Sequence, residues 1–320
     1  MKLTRREFYE LMFGAAAAAA IPGCRTAPCR APECGPPASP RGLVDAGRMG
    51  VCSWSYQKPL DTVAAEMRKL GVNRIHLALQ PFLQGDERHG KAEGAEARKA
   101  VEARFASGEW KLSATMLSFN HEDYSTLDTI RTTGGIVPDK HWPEVQRLVR
   151  DAVKLTAGWK AKYLSLHAGF LDESDAAYLK KYTDRIKWIR DVCADSGVEL
   201  ILESGQETAA HLVKFLHTVP GVGVNFDPAN MILYAKGNPV AAIHLLAPWI
   251  RHVHIKDACL TKNPGTWGTE VPWGDGEVHP AAFFKALEVA GYKGAFAVER
   301  EAGDDRVADI ALAVRRCTGI

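Results

Sequence analysis

From Met49 to its end, the chain alternates short apolar runs with helix-patterned segments, and this period constrains the fold more than any other feature. The runs cover residues 49–54, 73–79, 111–117, 162–167, 198–203, 222–227, 250–255 and 295–299. Each has the length and composition of a strand. Between them, apolar residues recur at helical spacing. Examples are Trp142, Val145, Val149 and Val153; Leu179, Tyr182, Ile186, Ile189 and Cys193; and Phe283, Leu287 and Ala290. A strand followed by a helix and another strand places the two strands parallel, and eight such units close into a barrel. The expectation is an α/β fold, a single (β/α)8 TIM barrel over residues 46–320, with its last helix near 305–316. The 320 residues suit one domain of this kind.

Four of the runs end in ligand-type residues. They read "VELILE" to Glu203, "VGVNFD" to Asp227, "IRHVH" to His254 and "GAFAVE" to Glu299. Neighbouring residues in a strand face opposite ways. Leu200 and Leu202, Val224 and Phe226, Val253 and Ile255, and Phe296 and Val298 therefore share the apolar faces. Glu203, Asp227, His254 and Glu299 take the opposite face. Taken singly, each acid reads as a helix N-cap, a turn residue or a solvated group. Together they place three carboxylates and an imidazole at one end of four strands. Such a group repels itself unless a cation holds it, and these donors suit a divalent metal.

"LILES", "NFDPAN", "HVHIKDA", the stretch from Val271 to Gly294 and "AVERE" resemble the xylose-isomerase-like TIM barrels. This superfamily holds sugar phosphate isomerases and epimerases, inosose dehydratases and endonuclease IV. The likeness runs from about Arg48 to the C-terminus. It implies one divalent ion, Mn²⁺ favoured and Co²⁺, Mg²⁺ or Zn²⁺ also suited, held by Glu203, Asp227, His254 and Glu299. It also implies that Glu203 and Glu299 act as acid and base across a metal-held enediolate. The expected function is then isomerisation or epimerisation of a sugar or sugar derivative. Two alternatives stay open: a lyase, dehydratase or keto-glycoside hydrolase using the same chemistry, and a non-catalytic sugar-binding lipoprotein. Departures from the ketose 3-epimerase pattern tell against free ketohexoses: Asn230 stands where those enzymes carry His, and Leu260 where they carry Arg. The richer ligand cluster of endonuclease IV is missing.

The same alternation selects further cavity candidates. Trp54 closes the first run, His76 shares a face with Arg74, and His167 shares one with Ser165. Lys256 follows His254 on its own face. Together with Asn230 and Trp273, these are the expected substrate-binding residues. Each has a plainer reading: an ion pair with Glu301 for Lys256, loop packing for Trp267 and Trp273, and a core or supporting role for His252. Gly274-Asp275-Gly276 reads as a turn.

The N-terminus is a targeting segment. Thr4-Arg5-Arg6-Glu7-Phe8 is a twin-arginine pattern, followed by a short apolar stretch from Leu11 to Ile21 that is too brief to span a bilayer. Ile21-Pro22-Gly23-Cys24 resembles a lipobox, so lipidation of Cys24 and plain cleavage both stay open. The expected division is a signal over residues 1–24 and a Pro/Ala/Gly-rich tether over 25–45. The expected location is the periplasm or, through a lipidated Cys24, a membrane surface. Cys29 and Cys34 in the tether could pair in an oxidising compartment; the other cysteines lack metal spacing. Net charge is +2 and no long basic block appears, which argues against nucleic acid as a partner; the resemblance implies a small sugar instead. Oligomeric state is not readable.

Overall fold

In a computed structural model, residues 43–83 and 94–319 are described. The twin-arginine pattern, the lipobox-like Cys24 and the Cys29/Cys34 pair lie outside these residues. The strands are β1 (Met49–Cys52), β2 (Arg74–Ala78), β3 (Lys111–Leu117), β4 (Tyr163–Leu166), β5 (Glu199–Glu203), β6 (Val222–Phe226), β7 (Ile250–Ile255), β8 (Asp257–Cys259), β9 (Thr269–Val271) and β10 (Phe296–Val298). Eight of them close a barrel in the order β1-β10-β7-β6-β5-β4-β3-β2, and every neighbouring pair is parallel.

The helices are α1 (Leu60–Lys69), α2 (Gln80–Leu83), α3 (Gly94–Ser107), α4 (Leu127–Thr133), α5 (Trp142–Gly158), α6 (Ala176–Ala194), α7 (Ala209–Thr218), α8 (Pro228–Leu233), α9 (Pro239–Leu246), α10 (Pro280–Val289) and α11 (Arg306–Thr318). Their apolar stripes are the expected ones. Val145, Val149 and Val153 of α5 and Tyr182, Ile186, Ile189 and Cys193 of α6 are buried. These side chains form an apolar layer with the outward residues of the strands. Burying such stripes stabilises the barrel by about 25 cal/mol per Å² of apolar surface removed from water.

The interior is polar. His76 on β2 reaches His254 on β7, and His252 on β7 reaches Ser113 on β3. Neither pair joins neighbouring strands, so the contacts cross the barrel and fix the inward faces.

Two features differ from expectation. Val44 is buried, and its backbone N–H donates to Cys317 O at 3.0 Å, while the Asp45 carboxylate caps the turn at Ala46–Arg48. The barrel unit thus includes the last residues of the expected tether. The second is an antiparallel hairpin, β8 on β9, which flanks Trp267 and is not expected from the sequence. Short three-residue strands carry too little periodicity to be seen in sequence. Asp257 organises the segment between β8 and α10. Its Oδ1 accepts from the N–H groups of Ala258 and Val278, and its Oδ2 from those of Gly274 and Gly276. Gly276 has to be glycine, because a Cβ there would collide with Asp257 Oδ1.

Candidate metal centre

The parallel β/α order sends all eight strand C-termini to one end, and that end collects the ligand-type residues. Glu203 closes β5, Asp227 follows β6, His254 lies near the end of β7, and Glu299 follows β10. Each offers one donor atom, and these four atoms lie within 4.8 Å of one another. His254 Nδ1 is 3.2 Å from Glu299 Oε2, 3.4 Å from Asp227 Oδ2 and 3.7 Å from Glu203 Oε1. All four residues are buried.

Asp227 does two things. Its Oδ1 accepts from Asn230 N–H at 2.9 Å, capping α8, while Oδ2 turns to His254. The N-cap reading holds and is compatible with the ligand reading, because a carboxylate has two oxygens.

Side chains around the group fix its orientation. Trp54, in the turn after β1, donates Nε1–H to Glu299 Oε1 at 2.7 Å. Asn230 Nδ2 donates to Glu203 Oε1 at 2.9 Å, and Lys256 Nζ donates to Asn230 Oδ1 at 3.3 Å. His167 Nε2 lies 3.2 Å from Glu203 Oε1, off the line of a hydrogen bond. Behind the group, His254 Nε2 is 3.1 Å from His76 Nδ1 and 3.1 Å from the Asn225 amide. A lone pair on His254 Nδ1 requires the ring proton on Nε2, where His76 Nδ1 can accept it.

Electrostatics follow burial. Burial raises Asp227 above the usual carboxylate range, and Lys256 opposes this. Burial pushes His254 down, but Cys52, Glu299 and Asp227 outweigh it, and the imidazole is held well above its ordinary value. Burial pushes the Cys52 thiol up to about 12 and His76 down to about 3, so both are neutral. His252, pinned by Asn225 and Ser113, is likewise pushed down by burial. The donor set fits a divalent ion: three carboxylates and one imidazole nitrogen, all buried, with one partial counter-charge. Lys256 is that counter-charge. Its Nζ lies 2.7 Å from Glu301, 2.9 Å from Glu299 and 3.6 Å from Asp227.

Three expected substrate contacts are placed differently from the others. Lys256 is held in the ion pair with Glu299 and Glu301, the plainer of its two readings. His76 is fully buried beneath His254 and supports it from behind. Trp273 does not join the group. Its ring packs edge-on against Phe283 and Phe284, outside the barrel wall, and its carbonyl accepts from Arg316. Trp54, His167 and Asn230 do lie against the ligands.

Sequence reasoning missed Asn225, although it shares a face with Asp227 two residues on. It also missed Glu270, whose Oε1 accepts from Arg300 and from the N–H groups of Glu301 and Ala302. Glu270 sits on the hairpin strand β9, which no periodicity marks.

Fold and site together define a TIM barrel with a buried group of residues that could hold a divalent metal at the C-terminal ends of its strands. The chain belongs to the xylose isomerase-like TIM barrel family, whose sequence profile matches residues 64–317. It is similar to a xylose isomerase domain protein from Planctomyces limnophilus, 26% identical, covering 85% of this chain and 97% of that one, with a TM-score of 0.72. Two more distant barrels show the shared fold. A probable 3-DHS dehydratase, AsbF, from Bacillus anthracis is 14% identical, with coverage of 84% and 97% and a TM-score of 0.63. An L-ribulose 3-epimerase is 17% identical, with coverage of 84% and 92% and a TM-score of 0.60. An uncharacterized Escherichia coli protein, YihM, is 36% identical over 86 residues; this is 26% of each chain, so the match spans about a quarter of that relative.

Proposed function

We propose that this protein is a metal-dependent isomerase or epimerase of a sugar or sugar derivative. The observation that carries the reading is the convergence of Glu203, Asp227, His254 and Glu299 within 4.8 Å. A divalent ion held by these four residues, Mn²⁺ favoured for its oxygen-rich donors, would supply Lewis acidity that polarises a substrate carbonyl and acidifies the neighbouring C–H. Two strands, β6 and β7, separate β5 from β10 in the ring, so Glu203 and Glu299 face each other across the group. One takes the proton from carbon and the other returns it. Trp54 and Lys256 hold both oxygens of Glu299 in place, and Asn230 holds Glu203. His167 borders Glu203, where it can contact the substrate. Fixed donors of this kind need no reorganisation during proton transfer.

The L-ribulose 3-epimerase fold supports this reading, and the dehydratase fold favours a second one, in which the same abstraction expels a β leaving group. The test is incubation of metal-loaded protein with a panel of keto sugars in D₂O. Deuterium entering next to the carbonyl, with exchange in Glu203→Gln and Glu299→Gln reduced by about 10²-fold or more, is the expected result. A dehydrated product in place of exchanged sugar would shift the assignment to a lyase. Metal-loaded protein that exchanges nothing would sink both readings. The twin-arginine pattern supports action outside the cytoplasm, which cell fractionation would test.

A further inference from the structure

We infer that Cys52, His76 and His254 form a second metal site, which shares His254 with the four-residue group and takes a thiophilic ion, Zn²⁺ or Cu⁺. The site does not depend on the proposed activity.

Cys52 has no ligand-type neighbour at metal spacing in sequence, and barrel closure supplies its partners. Cys52 ends β1 and stands directly opposite His76 in the register of β1 on β2. His254 reaches both from β7, across β10. One donor atom from each of the three lies within 4.8 Å of the other two. The Cys52 thiol and the His254 ring interact directly. His76 Nδ1 and His254 Nε2 are 3.1 Å apart. Two nitrogens on one trigonal or tetrahedral ion, each at about 2.0–2.1 Å, stand about 3.3–3.6 Å apart. A shift of a few tenths of an ångström therefore admits the ion.

The lone pairs suit it. His76 Nε2 has no hydrogen-bond partner, and a neutral ring with its proton there turns the Nδ1 lone pair toward His254. His254 presents Nε2 by moving its proton to Nδ1, where Glu299 Oε2 at 3.2 Å and Asp227 Oδ2 at 3.4 Å accept it. The Cys52 proton leaves to solvent, since coordination deprotonates a thiol outright. Nothing is oxidised or reduced.

Donor chemistry selects the ion. One thiolate and two imidazoles suit Zn²⁺ and Cu⁺, and suit Mg²⁺ or Mn²⁺ poorly. All three residues are fully buried. Trp54 and His252 pack edge-on against His76, with ring centroids 4.9 Å and 4.6 Å away, and close the pocket with rings. The two ligand groups overlap only at His254. A neutral imidazole has one lone pair, so His254 serves one group at a time. A thiophilic ion bound here takes His254 away from the carboxylates.

The test is titration of the full chain with Co²⁺, a spectroscopic stand-in for Zn²⁺, and anaerobically with Cu⁺ against a chromophoric chelator. Cys52→Ser and Glu299→Gln are titrated beside it. Cobalt on a thiolate gives an intense near-ultraviolet charge-transfer band. The expected result is that band, or about one more Cu⁺ per chain than in Cys52→Ser, kept in Glu299→Gln. The other cysteines are common to all three proteins, so the difference reads Cys52 alone. The cobalt band assigns Zn²⁺, and Cu⁺ uptake without it assigns Cu⁺. Cys52→Ala, shown folded by its melting curve, makes the same comparison where serine unfolds the core. No difference between the parent and Cys52→Ser with either ion would overturn the inference. So would a signal lost in Glu299→Gln, which would put Cys52 on the ion of the carboxylate group. A Cys52-dependent signal in protein that takes up no Mn²⁺ keeps this site and removes the four-residue one; Mn²⁺ uptake without the signal does the reverse.

Discussion

Trp54 shows how the residues around the ligands act. Its indole N–H holds one oxygen of Glu299 while Lys256 holds the other. Removing a hydrogen-bonded partner of a ligand commonly weakens metal binding about 10–100-fold. Trp54→Phe should therefore keep the fold and lose affinity in that range, measured by competition with a chromophoric chelator; unchanged affinity would show that Glu299 is positioned by its strand alone. Glu207 gives a pH prediction. Burial raises its carboxyl to about 7. The unfolded chain loses this proton near pH 4–5 while the folded chain keeps it, so the unfolded state binds fewer protons between those values. Stability from this group falls as pH rises toward 7 and stays lowered above it. Glu207→Gln should be more stable than the parent by about 1–3 kcal/mol at pH 8, with the gap closing by pH 4.5. Urea melts at both pH values check this, and a variant less stable at pH 8 would contradict it. At this scale the convergence of Glu203, Asp227, His254 and Glu299 was legible because strand alternation assigns a face. Lys256 was legible only as a choice, since its acidic partners come from other strands and from the β9 hairpin.

Among elements, the segment from β8 to α10 carries the clearest dependence on one side chain. Asp257 satisfies four backbone N–H groups of this segment. Without it those donors lose a charged acceptor, and the turn at Gly274–Gly276 keeps only the Arg316 contacts to Trp273 O and the Asp275 carboxylate from outside. Asp257→Ala should cost about 2–4 kcal/mol and open residues 260–277 to limited proteolysis. Cleavage no faster than in the parent would mean that the hairpin pairing suffices. Sequence periodicity found the eight barrel strands within a few residues because each lies in an apolar run set between helix-patterned segments. The β8–β9 hairpin escaped because its form depends on Asp257 and on contacts distant in sequence. Trp273 was misplaced for a related reason: the turn that Asp257 folds directs the ring onto Phe283 and Phe284 rather than toward the barrel mouth.

For the whole molecule, the barrel is a device that brings distant carboxylates together, and their mutual repulsion is a cost to the fold. Lys256 offsets part of it. An ion bound only by the folded state would add RT ln(1 + [L]/Kd) to stability. Chelation should therefore lower the melting temperature reversibly, and re-addition of the ion should restore it. The central claim is tested most directly by elemental mass spectrometry of the protein lacking residues 1–42, beside its Glu299→Gln variant. About one divalent ion per chain in the parent, sharply reduced in the variant, is the predicted result. A folded parent that carries no ion and takes up none from added Mn²⁺, Co²⁺ or Zn²⁺ would contradict it.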